Sequence, residues 1–152
     1  MEEQKTINDA VLGELVYTEL TSSWCGKIED SGIRVSINSI PSTESNIEKI
    51  KRFIEWFPDN NEYLIKKLVY ELFNHDIVQG DQFIENVFGL TEEESEKEHR
   101  LLESKVGEAL RIKDIRSRDD NLIIGITTGR YTGDHVIDAT LSDKYEILTM
   151  SK

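Results

Sequence analysis

Histidine beside aspartate is the residue combination in this chain that could carry chemistry. It occurs twice, as His75-Asp76 and as Asp134-His135. An imidazole with a neighbouring carboxylate can serve acid–base catalysis or orient a metal ligand. Such a site would belong to a small hydrolase, metal-dependent or histidine-dependent, in which His75, His135 and Asp134 meet in one cleft with Asp76 or Asp138.

The spacing of these residues argues against that hydrolase. Adjacent residues of a strand point to opposite faces, so neighbours in sequence rarely act on the same substrate. The chain has no pair of histidines four residues apart and no cysteine–histidine cluster of the kind that holds a metal. We therefore expect His75 and His135 to be structural residues that hydrogen-bond to the backbone, and we expect no metal and no cofactor.

Two further patterns also favour structural roles. Gly125, Gly129 and Gly133 recur every four residues, but a phosphate-binding loop leads from a strand into a helix and contains a lysine. Here a further strand is predicted and the lysine is missing, so we interpret the glycines as a strand end and a loop. Cys25 follows Trp24 without the surroundings of a nucleophile. It is predicted to be a small apolar filler in a strand.

The densest run of acid could form a contact surface instead of a reaction centre. Calcium would need oxygen ligands in a loop with a central glycine, whereas this run follows a helix-start signal at Thr91. A solvated helix face is the simpler interpretation. The functional interpretation is a surface for a basic protein, strengthened if Trp56 or Tyr63 is exposed nearby, because aromatic residues anchor interfaces. The glutamates of this surface are Glu92, Glu93, Glu94, Glu96 and Glu98.

Length and charge exclude several classes of protein. The 152 residues fit one domain that can bury a core without disulfides, and the single cysteine cannot form an internal one. Thirty acidic against eighteen basic residues give a formal charge of -12, which repels nucleic acid and anionic lipid surfaces. No apolar run resembles a signal peptide or a membrane span. The sequence thus predicts a cytoplasmic protein with neither a nucleic acid nor a membrane as its partner.

Short alternating apolar runs predict strands at both ends of the chain. Residues 1–9 are polar and are expected to fray, and three strands should follow, beginning at Val11, Ser23 and Ile33. In the third, Val35 and Ile37 share a face, which is the pattern of a half-buried strand. A second meander is expected between Leu110 and Met150, with a turn at residues 118–121.

Helical spacing fills the middle of the chain. Apolar residues recur over Thr43–Phe57 and again over Asn60–Phe73, with Pro58 expected to stop the first helix. Thr91 followed by Glu94 is a capping box that should open a third helix, running to about Leu110 and burying Leu101 and Leu102. The predicted class is α+β: antiparallel sheet meanders at both ends of the chain, covered on one face by two to three helices, in one domain of residues 1–152.

Several short motifs are spread over most of the chain: Leu12-Gly13-Glu14-Leu15, Trp24-Cys25-Gly26, Leu72-Phe73-Asn74, Tyr131, Gly133, His135 and Ile137. Together they resemble the motifs of the uncharacterised bacterial family domain of unknown function 2262 and of its relative, domain of unknown function 2004. The resemblance implies an α+β fold and a bacterial source, but no reaction. Small acidic bacterial proteins of similar appearance include immunity proteins that neutralise toxins.

The leading hypothesis is therefore a non-enzymatic, acidic, cytoplasmic domain that binds a basic protein, as a toxin-neutralising factor of the immunity type. It predicts a contiguous negative surface and no deep pocket of titratable groups. The hydrolase is one alternative. A structural homo-oligomer is another, and it predicts an exposed apolar patch or a paired sheet edge.

Overall fold

The computed structural model describes residues 5–39, 42–84, 88–118 and 121–152. In these ranges four strands are followed by two α-helices and then by four more strands. Short 3-10 turns occur at Gly80–Gln82 and Gly129–Thr132. The elements are β1 (Thr6–Asp9), β2 (Gly13–Thr18), β3 (Ser23–Lys27), β4 (Arg34–Asn38), α1 (Thr43–Asn74), α2 (Glu92–Ala109), β5 (Arg111–Arg118), β6 (Asn121–Thr127), β7 (Ile137–Leu141) and β8 (Ile147–Ser151).

All eight strands form one sheet in the order of the chain. Every neighbouring pair is antiparallel except β4 and β5, which run parallel with Val35 opposite Ile115. Parallel neighbours cannot be joined by a tight turn and need a long crossover, and here the helical segment supplies it. The α+β prediction, with meanders at both ends and helices between them, is confirmed. The crossover also joins the two meanders edge to edge into a single sheet.

The sheet has one covered and one uncovered face. Val35, Ile115, Ile124 and Ala139 are successive cross-strand neighbours, and each is at most 2% exposed. Alternate positions of the same strands are partly exposed at Ser36, Arg116 and Asp138. Because side chains alternate along a strand, this burial places the helices on one side only. The predicted burial of Val35 and Ile37 is confirmed.

The prediction of two helices separated at Pro58 is wrong, because α1 is one helix of 32 residues. An interior proline costs roughly 3 kcal/mol, since it lacks an N–H and its ring crowds the preceding turn. Fully burying Leu64, Leu68 and Leu72 stabilises by roughly 2 kcal/mol each, which outweighs that cost. The Asn60 side-chain amide also donates to the Trp56 carbonyl at 2.8 Å, which adds a hydrogen bond beside the proline.

Helix α2 begins as the sequence predicts. The Thr91 hydroxyl accepts a hydrogen bond from the Glu94 amide at 3.1 Å, and the Glu94 carboxylate accepts one from the Thr91 amide. Leu102 is buried, as expected, but Leu101 is 50% exposed, contrary to expectation. The buried stripe of α2 repeats every four residues through Leu102, Val106 and Leu110, and Leu101 lies one residue off it.

Strand β1 corrects the expectation that residues 1–9 fray, because Thr6–Asp9 pairs with β2. The Asp9 carboxylate accepts hydrogen bonds from the amides of Val11 (2.8 Å) and Leu12 (3.0 Å). It also lies 3.3 Å from the Lys51 ammonium, which ties the β1–β2 turn to α1. The predicted turn at residues 118–121 includes Asp119 and Asp120, which lie outside the described residues.

The Asn46 side chain fastens α1 to the centre of the sheet. Asn46 is fully buried. Its amide nitrogen donates to the Asn38 carbonyl at 2.6 Å, and its amide oxygen accepts from the Ser117 hydroxyl at 2.8 Å. Because Asn38 ends β4 and Ser117 lies in β5, one side chain bridges the two parallel strands.

Replacing Asn46 should therefore destabilise the fold more than its size suggests. Asn46→Ala leaves the buried Ser117 hydroxyl and the half-buried Asn38 carbonyl without this partner, at a cost of about 1–3 kcal/mol each. We expect the free energy of unfolding in urea to fall by about 2–4 kcal/mol. Asn61→Ala is the control, since its hydrogen bond to Pro58 on α1 is exposed. Equal losses for the two variants would contradict the bridging role.

The Asp9 carboxylate should make stability depend on pH. Burial alone would raise the pKa of Asp9, but the hydrogen bonds from the Leu12 and Val11 amides and from Lys51 outweigh it and lower the pKa. A lowered pKa stabilises the fold above the unfolded-state value of about 3.9, and this stabilisation is lost as the pH falls through the folded-state value.

Asp9→Asn keeps an acceptor for both amides and removes the charge. We expect this variant to be less stable than the wild type at pH 7, with the difference shrinking below about pH 4. Urea denaturation across this pH range measures it. Asp30→Asn, in the exposed β3–β4 turn, is the matched control and should show no such trend. A gap between Asp9→Asn and wild type that persists at low pH would rule out the charge as its cause.

Candidate functional site

The structure gives the two candidate histidines separate partners. His75 follows the end of α1, and its Nε2 lies 2.9 Å from the Glu71 carboxylate. His135 is exposed in the loop before β7, where its amide donates to the Thr132 carbonyl at 3.2 Å. Asp134 beside it is exposed and takes a left-handed backbone with φ of 60°. Within the described residues, no three His, Cys, Asp or Glu side chains gather in an arrangement that could hold a metal ion.

Gly129 and Gly133 lie in the loop expected of them, whereas Gly125 lies inside a strand and not at its end. Gly125 is inside β6, Gly129 opens the 3-10 turn, and Gly133 ends that turn with φ of 63°. A left-handed backbone favours glycine because it has no Cβ. The element that follows is strand β7, so this segment lacks the strand-to-helix geometry of a phosphate-binding loop.

Helix α2 runs antiparallel to α1. Gly107 faces Ile65 of α1, where a Cβ would lie 3.4 Å from the Ile65 Cγ2 atom. The His99 ring packs on Phe73 at 4.9 Å between centroids, near the end of α1. The first two turns of α2 therefore extend beyond α1. We call residues 92–98 the acidic segment, and every one of them is exposed.

The candidate aromatic residues lie away from the acidic segment. Trp56 is half-buried and stacks on Tyr145 at 4.4 Å, whereas Tyr63 is 52% exposed with the Lys67 ammonium 5.0 Å above its ring. At a rise of 1.5 Å per residue, Glu94 lies roughly 20 Å along α2 from the contact of Gly107 with Ile65. Trp56 lies roughly 14 Å along α1 from the same contact, in the opposite direction. The acidic segment and these aromatic rings do not form one continuous surface.

The uncovered face of the sheet holds an ionic network that sequence reasoning missed. Arg116 of β5 donates from Nε to the Asp114 carboxylate at 2.9 Å and from Nη2 to the Asp138 carboxylate of β7. Burial would lower the pKa of Arg116, but the hydrogen bond to Asp138 and the charge of Asp114 outweigh it and raise the pKa. The alternation of Asp114 and Arg116 along one strand was a visible signal. That Asp138 is the second partner of Arg116 follows only from the strand order.

Gly125 makes room for this network. It lies in register between Asp114 and Asp138 on the strand that separates them. A Cβ at Gly125 would be 2.4 Å from the Asp114 Oδ2 atom, far inside van der Waals contact. The carboxylate that lies over Gly125, and not a left-handed backbone, therefore favours glycine at this position.

A polar groove of about 350 Å³ lies beside Arg116. Its hydroxyl groups form a chain, with the Thr21 and Ser23 oxygens 2.7 Å apart and the Ser23 oxygen 3.4 Å from the Cys25 sulfur. The Cys25 thiol in turn donates to the Ser36 hydroxyl at 4.0 Å. Cys25 is thus part of a polar row and not the apolar filler expected from the sequence. The groove is lined by Thr21, Ser23, Ser36, Asn38, Arg116 and Ser117.

Adding a methyl group at Gly125 should destabilise the fold, because the Asp114 carboxylate leaves no room for it. Gly125→Ala places its Cβ against the Asp114 carboxylate, and overpacking of this kind costs about 1–3 kcal/mol. We expect a matching loss of unfolding free energy in urea. In the background of Asp114→Ala the same substitution should cost much less, because the carboxylate it meets is gone. Strictly additive losses would show that the overlap is not the cause.

The described helices include none that is both long enough and apolar enough to cross a bilayer. Comparison with protein-family models, with curated proteins and with solved structures finds no match to this chain. The resemblance to the bacterial family therefore stays a prediction. A fold class alone implies no function, so the exposed groups of the chain are what indicate one.

Proposed function

We propose that this chain is a non-enzymatic binding domain whose acidic segment contacts a basic surface of a partner protein. One observation carries the proposal: seven successive helical residues, Glu92–Glu98, are all exposed, and they comprise five glutamates, one serine and one lysine. A helix that is polar on every side buries nothing of its own. Its exposed carboxylates are available to a partner.

The stability of helix α2 accounts for only some of these five glutamates. Glu92, Glu93 and Glu94 occupy the first turn, where a carboxylate near the helix N-terminus stabilises by about 0.3–1 kcal/mol. Glu96 and Glu98 lie beyond that turn and have like charges four residues before them, which is destabilising. Glu96 recovers little through its exposed pair with Arg100 at 3.7 Å. The two later glutamates therefore favour a role outside the fold.

Charge would act on the association rate as much as on affinity. The chain carries a formal charge of -12, and a field of that sign attracts basic partners over distances set by the salt concentration. Exposed charges at the rim of an interface mainly steer the encounter. A complex built on the acidic segment should form quickly at low salt and weaken as salt rises.

A toxin-neutralising role of the immunity type, in the cytoplasm of a bacterium, is the form of this function that we favour. The analogy with other small acidic proteins supports the toxin-neutralising role, and the resemblance of the motifs to the bacterial family supports the bacterial source. The hydrolase alternative has less support, because His75 and His135 have separate partners and Asp138 is engaged by Arg116.

Affinity capture from the native cell tests the proposal. The bait variants replace all five glutamates of the acidic segment by glutamine, or Glu96 and Glu98 alone so that the capping box is kept. The matched control removes five exposed acidic charges elsewhere by amide substitution, at Glu19, Glu29, Asp30, Asp134 and Asp143. Captured proteins are identified by mass spectrometry at low and high salt.

We expect the wild type and the control to retain the same basic protein at low salt and to lose it at high salt. The five-glutamine variant should lose it at both, and the double variant should retain less of it. Absence of a basic partner at every salt concentration would overturn the proposal. So would an equal loss in the control, since total charge and not the acidic segment would then be responsible.

A further inference from the structure

We propose that the groove on the uncovered face binds an oxyanion, the carboxylate or phosphate group of a small molecule, with Arg116 as its principal donor. This site lies on the sheet and not on α2. It is independent of the acidic segment, and neither proposal requires the other.

Arg116 is held in the geometry that such a group needs. A guanidinium has five N–H donors in a fixed plane. The edge formed by Nε and Nη2 is taken by Asp114 and Asp138. Among the described residues none accepts a hydrogen bond from Nη1, so the fork formed by Nη1 and the second Nη2 hydrogen remains available. Such a fork binds two oxygens of a carboxylate or phosphate at once.

Asp114 and Asp138 hold this fork in position before a ligand binds. An arginine side chain that is free in solution loses much rotamer freedom when it orders around a ligand. The Arg116 side chain already loses this rotamer entropy when the chain folds, because Asp114 and Asp138 hold the guanidinium from two different strands. Arg116 lines the groove, and its side chain is 34% exposed, so the anchored group remains accessible.

The Ser36 hydroxyl beside Arg116 can complete the site. It lines the same groove and accepts from the Cys25 thiol, so its own proton can turn toward a ligand oxygen. The groove therefore offers a bidentate cation and a neutral donor beside it, which is a donor set that suits an oxyanion.

The charge of the uncovered face permits an anion in spite of the acidic chain. By strand register, the described charged residues on this face include four cations and three carboxylates. The acid that makes the chain strongly negative lies elsewhere, and at physiological salt it is screened over about 8 Å. The seven residues are Lys27, Arg34, Arg111, Arg116, Glu14, Asp114 and Asp138.

Nuclear magnetic resonance titration of the full chain tests the site. Sodium phosphate, sodium acetate and sodium chloride are the three probes, each added at constant ionic strength and pH. We expect the Arg116 Nε–H signal and the Ser36 amide to shift with phosphate or acetate and not with chloride. Saturation with phosphate alone identifies a phosphate site, and saturation with acetate alone identifies a carboxylate site.

Arg116→Lys keeps the positive charge and removes the fork, so it should weaken oxyanion binding about tenfold. Arg34→Lys, on the same face but outside the groove lining, is the control and should bind as the wild type does. If Arg116→Lys fails to fold, Ser36→Ala decides, because it leaves the Arg116 network intact and should weaken binding about threefold.

Two results would overturn the proposal. One is that phosphate and acetate shift these signals no more than chloride does at the same ionic strength. The other is that binding is unchanged in Ser36→Ala and in a folded Arg116→Lys, since the anion would then bind elsewhere on the surface.

Discussion

The parallel pairing of β4 with β5 is the constraint on which the rest of this structure depends. Each meander alone could close with short turns, but a parallel junction forces the chain to leave the sheet, cross one face and return. Helix α1 makes that crossing, and Asn46 bonds it to both strands at the junction. Because the crossing occupies only one side, one face of the sheet is buried and the other is left to solvent.

This asymmetry divides the polar groups of the molecule into two surfaces. On the helical side, the start of α2 extends past α1 and presents carboxylates with no packing of their own. On the uncovered face, small hydroxyl side chains and one anchored arginine replace the apolar residues that a second helical layer would demand. The two surfaces suit different ligands, a basic protein for the first and a small oxyanion for the second.

Tertiary packing overrides local backbone preferences where the free energy of the packing contacts exceeds the backbone penalty. Pro58 would end an isolated helix, yet the apolar stripe on either side of it keeps α1 continuous. Tyr145 has a left-handed backbone with φ of 63°, which disfavours a bulky residue, and its ring packs against Trp56 and Phe53. Burial also raises the pKa of its phenol. In both places aromatic or aliphatic contacts offset a backbone penalty.

Features that depend on neighbours in sequence can be predicted from the amino-acid sequence alone. The alternation of Val35 and Ile37, the capping box at Thr91 and the placement of helices between two meanders all follow from local periodicity and hydrogen-bond chemistry. Pairings between distant segments cannot be predicted in this way, because no local pattern specifies which strand edges pair. The β4–β5 junction exists only once the crossover has brought the two meanders together. The contact of Arg116 with Asp138 depends on the order of β5, β6 and β7, and the polar surroundings of Cys25 depend on the register of β3 with β4.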